Sequence, residues 1–111
     1  MFDGLDTFAH VYVDGRLALS SDNMFVPARL ALGAGRHRIL IHFESPLVRA
    51  RELQMAFGHE HRHVVSNGEA SRLFARKGQY AFGWDWGPKL LSIGPWRPIR
   101  LETYSTRIDE L

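Results

Sequence analysis

The stretch Val11-Tyr12-Val13-Asp14-Gly15-Arg16-Leu17-Ala18-Leu19 decides how this chain reads. Strand-prone residues stand on both sides of an Asp-Gly pair. That pair predicts a two-residue type I′ hairpin, because both central positions of the turn need positive φ and Asp-Gly accepts it. The first strand extends back to Thr7, and the return strand covers Arg16 to Leu19.

Outward from the hairpin, Ser20-Ser21-Asp22-Asn23 reads as a loop and Met24 to Leu32 as a short extended segment. Pro27 cannot donate to a ladder, which places that segment at an edge or a bulge. Gly33-Ala34-Gly35 is a turn, and Arg36 to Phe43 is the clearest strand. In it His37, Ile39, Ile41 and Phe43 share one face, and Arg38, Leu40 and His42 the other. Ser45-Pro46 supplies an N-cap followed by proline at the first helical position. Leu47 to Phe57 then carries Ala50, Leu53 and Phe57 at spacings of three and four, so one helix is expected near 46–57. Gly58 to Arg72 is polar and irregular, longer than ordinary connections. Gln79 to Trp86 follows, and Lys89 to Ile93 and Arg97 to Tyr104 read as two more strands split by Gly94-Pro95. Six short strands and one helix predict an all-β fold, an antiparallel sandwich. Six strands are few for two packed sheets, and unpaired edges are costly. The expectation is therefore a piece of a larger chain.

At 111 residues the chain holds one domain at most. Its 14 Lys and Arg are nearly matched by 12 Asp and Glu and spread along the sequence. A balance of +2 is no footprint for nucleic acid, and none is expected as a partner. The absence of cysteine excludes disulfide frameworks, thiolate metal sites and thiol nucleophiles. No stretch approaches the roughly 20 apolar residues of a membrane span, so no membrane partner is expected either.

Chemistry concentrates in Gln79-Tyr80-Ala81-Phe82-Gly83-Trp84-Asp85-Trp86-Gly87-Pro88. Two indoles flank one carboxylate, with glycines outside them that let the backbone bend tightly. A pyranose suits this arrangement: its hydroxyls donate to a carboxylate and its C–H face packs on an aromatic ring. The competing reading makes Trp84 and Trp86 core residues and Asp85 a turn cap. His59, His61 and His63 stand at alternate positions, as a metal site would need, but in a polar loop around Arg62, and they read as a solvated segment. No metal and no cofactor are expected. Glycoside hydrolysis needs two facing carboxyl groups. No second carboxylate is marked as a partner for Asp85, and no catalytic residue is assigned.

Several phrases in order carry a resemblance. They are Phe2-Asp3-Gly4-Leu5-Asp6-Thr7-Phe8-Ala9, Val11 to Gly15, Asp22-Asn23-Met24-Phe25, Phe43-Glu44-Ser45-Pro46, Arg76-Lys77-Gly78-Gln79-Tyr80, Phe82 to Pro88 and Trp96-Arg97-Pro98-Ile99. Together they resemble the amino-terminal sugar-binding domain of β-mannosidases of glycoside hydrolase family 2, from Phe2 to about Tyr104. The resemblance implies a jelly-roll, galactose-binding-like sandwich, incomplete here because the family has strands ahead of the Phe2 phrase. Residues 1–104 would be a partial sugar-binding domain and residues 105–111 the start of a linker.

The same resemblance implies an activity for the whole enzyme: removal of terminal non-reducing β-D-mannose with retention, by two glutamates of a (β/α)8 barrel that is not part of these residues. The chain alone is then expected to be inactive. Its partners would be a β-mannoside oligosaccharide and the remaining domains of the enzyme. Asp85 would accept hydrogen bonds from mannose hydroxyls, and Trp84 would wall the pocket. Asn67, Arg72 and Arg76 are further substrate-binding candidates. A free-standing carbohydrate-binding module using the Trp84-Asp85-Trp86 loop is the alternative.

Overall fold

The Asp-Gly turn forms as its composition demands. In the computed structural model, which describes residues 1–57, 69–83 and 86–108, Asp14 has φ +50° and Gly15 φ +83°. These positive values are the mirror-image turn whose twist matches that of the flanking strands. Numbered in chain order, β1 is Leu5–Asp6, β2 is Ala9–Val13, β3 is Arg16–Ser21 and β4 is Ile39–Phe43. The helix α1 is Pro46–Phe57 and β5 is Gly94–Pro95. Short 3₁₀ turns cover Ala70–Phe74 and Gln79–Phe82.

The hairpin strands and β4 form an antiparallel sheet in the order β3-β2-β4, and β1 pairs antiparallel with β5. Ala9 lies opposite Ser21 and Phe43, and Val11 opposite Leu19 and Ile41. Alternation along each strand therefore collects the apolar side chains of all three on one face. There Ala9 and Val11 are wholly buried and pack with Phe2, Leu5, Leu19, Ala28, Leu30, Ile41 and Phe43. The opposite face carries the row Ser20, His10 and His42, three residues directly opposite one another. A register shift between Val11 and Tyr12 leaves Ala18 without a partner and sets Leu17 opposite Tyr12, with Leu17 half exposed. Such an extra residue carries the strand from one face to the other.

A second core forms where α1 meets the 3₁₀ turn at 70–74. Phe8, Ala50, Ala75 and Phe82 are buried together, with Leu53, Phe74 and Leu91 against them. The helix begins as expected: Val48 N donates to Ser45 Oγ at 3.4 Å and Arg49 N to Ser45 O at 3.0 Å. Arg51 forks onto Glu69 at 3.1 and 2.5 Å, tying the helix to the chain entering the 3₁₀ turn.

The fold class is the expected one, antiparallel β with one short helix at 46–57. Several boundaries differ. Met24 to Leu32 forms no strand: only Ala28 pairs, in an isolated bridge with Phe2, and Ile99 makes the matching bridge for Arg97 to Tyr104. The Lys89 to Ile93 strand is absent, and the short β5 sits on Gly94–Pro95, read as the break between two strands. Gln79–Phe82 closes into a 3₁₀ turn. In each case pairing is decided by a distant strand, not by local propensity.

Candidate functional site

Where the sheet ends and the helix begins, a groove of about 420 Å³ opens between Phe8, His10, Ser20, Ser21, Asp22, Glu44 and Arg49. That volume falls within the range of small-molecule sites. Four elements supply its walls because β2 starts, β3 and β4 end and α1 starts at this one edge. Glu44 N donates to Phe8 O at 2.9 Å, which fixes the edge. His10 lies 2.6 Å from Glu44 Oε1 through Nε2 and 2.9 Å from Ser20 Oγ through Nδ1. A carboxylate only accepts, so Nε2 donates to Glu44, while the Ser20 hydroxyl can donate to or accept from Nδ1. Arg49 reaches Glu44 at 3.7 Å and donates to Glu52 at 2.8 Å. The polar groups in the groove are largely one another's partners.

Asp22, on the groove rim, lies 3.9 Å from Arg76 Nη1, with both side chains about 70% exposed. The backbone at Arg76 bridges in parallel to Asn23, and Arg76 O accepts from Met24 N at 3.0 Å. Arg76 is thereby carried to the groove by the chain that leads toward the Trp-Asp-Trp triplet. Arg72 is half-buried in the 3₁₀ turn, and its Nε is buried with no hydrogen-bond partner among the described residues. Its carbonyl accepts from Ala75 N at 3.2 Å and Gln79 Nε2 at 3.1 Å. Beside it, Glu69 is held below its ordinary carboxylate pKa by the Arg51 guanidinium, with Ser71 adding a second hydrogen bond.

Of the residues singled out in the sequence, Arg76 stands beside the groove and Arg72 lies in the neighbouring turn, toward the helix. Trp84, Asp85 and Asn67 lie outside the described residues, as does the His59 to His63 segment. Trp86 is described and is 83% exposed, so it is not a core residue of the described structure. Gly83 before the triplet has φ +91°, where a side chain is strained, and a Cβ there would meet Lys89.

The chain leading into this segment is anchored deeply. Lys77 Nζ donates to Asp6 Oδ2 and, at 2.8 Å, to Ser92 O, and Asp6 Oδ1 accepts from Thr7 Oγ1. Gly78 N donates to Met24 Sδ at 2.9 Å, and Met24 O accepts from Trp96 Nε1 at 2.6 Å. Sequence reasoning assigned roles to neither Lys77 nor the groove residues His10, Glu44 and Arg49. Lys77 and Asp6 stand within two of the recognised phrases, and that proximity was the available signal.

Among the described residues, antiparallel sheets, one α-helix and an apolar face shared across β3-β2-β4 make a β architecture consistent with a galactose-binding-like domain. The chain belongs to the glycosyl hydrolase 2 galactose-binding domain-like family, whose model matches residues 1–97. It is 47% identical to β-mannosidase B of Emericella nidulans over its whole length, and 49% identical to β-mannosidase B of Aspergillus clavatus over 99% of it. It spans 14% of the length of each relative. The crystal structure of a β-D-mannosidase from Dictyoglomus thermophilum is similar over 86% of this chain and 12% of that one, with a TM-score of 0.72 and 33% identity.

Proposed function

We propose that this chain is the sugar-binding part of a β-mannosidase that removes terminal non-reducing β-D-mannose with retention. Residues 1–104 would form the binding domain and residues 105–111 the start of the link to the next. The observation that carries this reading is the 47% identity to a named β-mannosidase across every residue of the chain. Both catalytic glutamates would belong to a barrel domain outside these residues, which fits a chain spanning 14% of its relatives.

In this reading Asp85 accepts hydrogen bonds from mannose hydroxyls away from the scissile bond, Trp84 packs on the ring, and Arg76, Asn67 and Arg72 add donors. Arg76 has geometric support, since it stands at a groove rim with its guanidinium accessible. Arg72 carries a buried Nε still lacking an acceptor among the described residues. Binding energy spent on a remote part of the sugar serves catalysis by holding the reacting carbon in place.

Exposed apolar residues support the remaining domains as partners. Leu90, Leu101 and Trp86 are each more than 75% exposed. In this reading the remaining domains would cover such side chains.

The test is a titration of the chain with methyl β-D-mannoside, followed through amide shifts, together with an assay on a chromogenic β-mannoside. Weak saturable shifts around Asp85 that vanish in Asp85→Ala are expected, with no turnover. Turnover by the chain that survives Asp85→Ala would overturn the assignment. So would the absence of any shift at saturating sugar.

A further inference from the structure

The Lys77 side chain is 1% exposed, a depth at which lysine is rarely found without a partner. Its ammonium meets two acceptors on distant parts of the chain: the Asp6 carboxylate on β1 and the carbonyl of Ser92. Lys77 immediately precedes segment 78–91 and Ser92 immediately follows it. One cation therefore holds both ends of that segment against β1, which is itself paired with β5 through Asp6 and Gly94. A second strut secures the near end, where Gly78 N meets Met24 Sδ.

We propose that Lys77 is a positioning residue: anchored on Asp6, its ammonium pins Lys77 and Ser92, the residues that bracket segment 78–91, and so fixes where that segment leaves and rejoins the fold. The consequence for sugar rests on the proposed mannoside role, while the pin itself does not. Volume alone is a poor explanation for the pair. Apolar residues of similar size generally fill a buried site at least as well as two ions do. A methionine at 77 could supply that volume, but it could not hold a carboxylate and a carbonyl at once. Fixing the ends of a loop also removes the chain entropy that would otherwise spread its middle over many positions.

The experiment uses the chain in three forms: unmodified, Lys77→Met, and Asp6→Leu combined with Lys77→Met. The double variant removes both charges together and leaves no orphaned ion. Thermal melting reads stability, amide hydrogen exchange and amide shifts read segment 78–91, and methyl β-D-mannoside titration reads sugar binding. Lys77→Met should melt lower. The double variant should recover most of that loss, yet exchange roughly tenfold faster through 79–91 than the unmodified chain and show displaced shifts there.

A double variant with unchanged exchange and shifts across 79–91 would overturn the proposal. A measurement on the unmodified chain covers the case in which the variants do not fold. The Ala81 and Gly83 amides, bonded to Gly78 O and Tyr80 O, should be protected, and free-chain exchange at both would equally overturn it. If the unmodified chain shows a protected segment but takes up no mannoside, the proposed function fails and the pin stands.

Discussion

The imidazole of His37 lies 2.8 Å from the carboxylate of Asp14, closing the hairpin turn onto the chain that enters β4. Asp14 Oδ1 also accepts from Arg38 N at 2.8 Å, and the other His37 nitrogen lies 3.1 Å from Gly33 O. Both groups facing the ring are acceptors only, so the contact is satisfied in full by the doubly protonated imidazolium.

That contact predicts a pH dependence of definite sign. His37 is held above its ordinary 6.5, first by Asp14 and then by the Gly33 carbonyl. Asp14 is held below 3.8, first by the Arg38 amide and then by His37. The His37 contribution is complete below 6.5 and is lost as pH rises through its raised folded value. The Asp14 contribution is complete above 3.8 and is lost as pH falls through its lowered one. The clasp is fully formed between these limits. Proton NMR should give a His37 midpoint above 6.5, and His37→Ala should flatten the alkaline side of a melting-temperature profile. A midpoint at or below 6.5 would contradict the clasp.

Breaking the buried pair should cost far more than any surface change. Lys77→Met leaves the Asp6 carboxylate buried without its cation, and unfolding in urea should register a loss of about 3–5 kcal/mol. A loss under about 1 kcal/mol would mean that water reaches Asp6.

Gly4 backs onto the indole of Trp96, and a Cβ there would overlap the ring. The indole cannot yield easily, since its Nε1 donates to Met24 O at 2.6 Å and Trp96 N donates to Gly4 O at 3.2 Å. Gly4→Ala should therefore destabilise by about 1–3 kcal/mol. Near-ultraviolet circular dichroism should report a displaced tryptophan, and an unchanged spectrum and melt would refute the contact.

Asp22 and Arg76 are solvent-exposed and 3.9 Å apart. Asp22→Asn should change stability by less than about 0.5 kcal/mol. Arg76→Ala would then report on ligand contact free of a folding effect, and its mannoside affinity should fall while its melt stays put.

In a β-mannosidase carrying this chain together with its barrel, Asp85→Ala should lower kcat/KM by about 1.5–3 kcal/mol, the worth of a charged hydrogen bond. Steady-state kinetics on a β-mannoside checks it. An unaltered kcat/KM would remove Asp85 from the site.

Elements whose causes are local were legible in advance. Asp14-Gly15 selects its turn through two positive φ values, and Ser45-Pro46 starts α1 through a side-chain cap and a pre-set φ. Segments whose state depends on partners far along the chain were not. Phe2 pairs with both Ala28 and Ile99 as single bridges, so two stretches read as strands contribute one residue each. Arg76 was singled out as a candidate from its phrase, but its place on the groove rim depends on the Asn23 bridge.

The amino-acid sequence by itself determined the hairpin, the helix, the alternation along Arg36 to Phe43, and the ordered phrases by which the family is recognised. The hairpin and the helix each depend on residues within a few positions of one another. Only the tertiary structure decided that Asp6 and Lys77, separated by 71 positions, share one buried contact. It also decided that four elements end at a common groove. Burying a charge is favourable only when a partner and a carbonyl arrive together, and their arrival is set by packing of the whole chain.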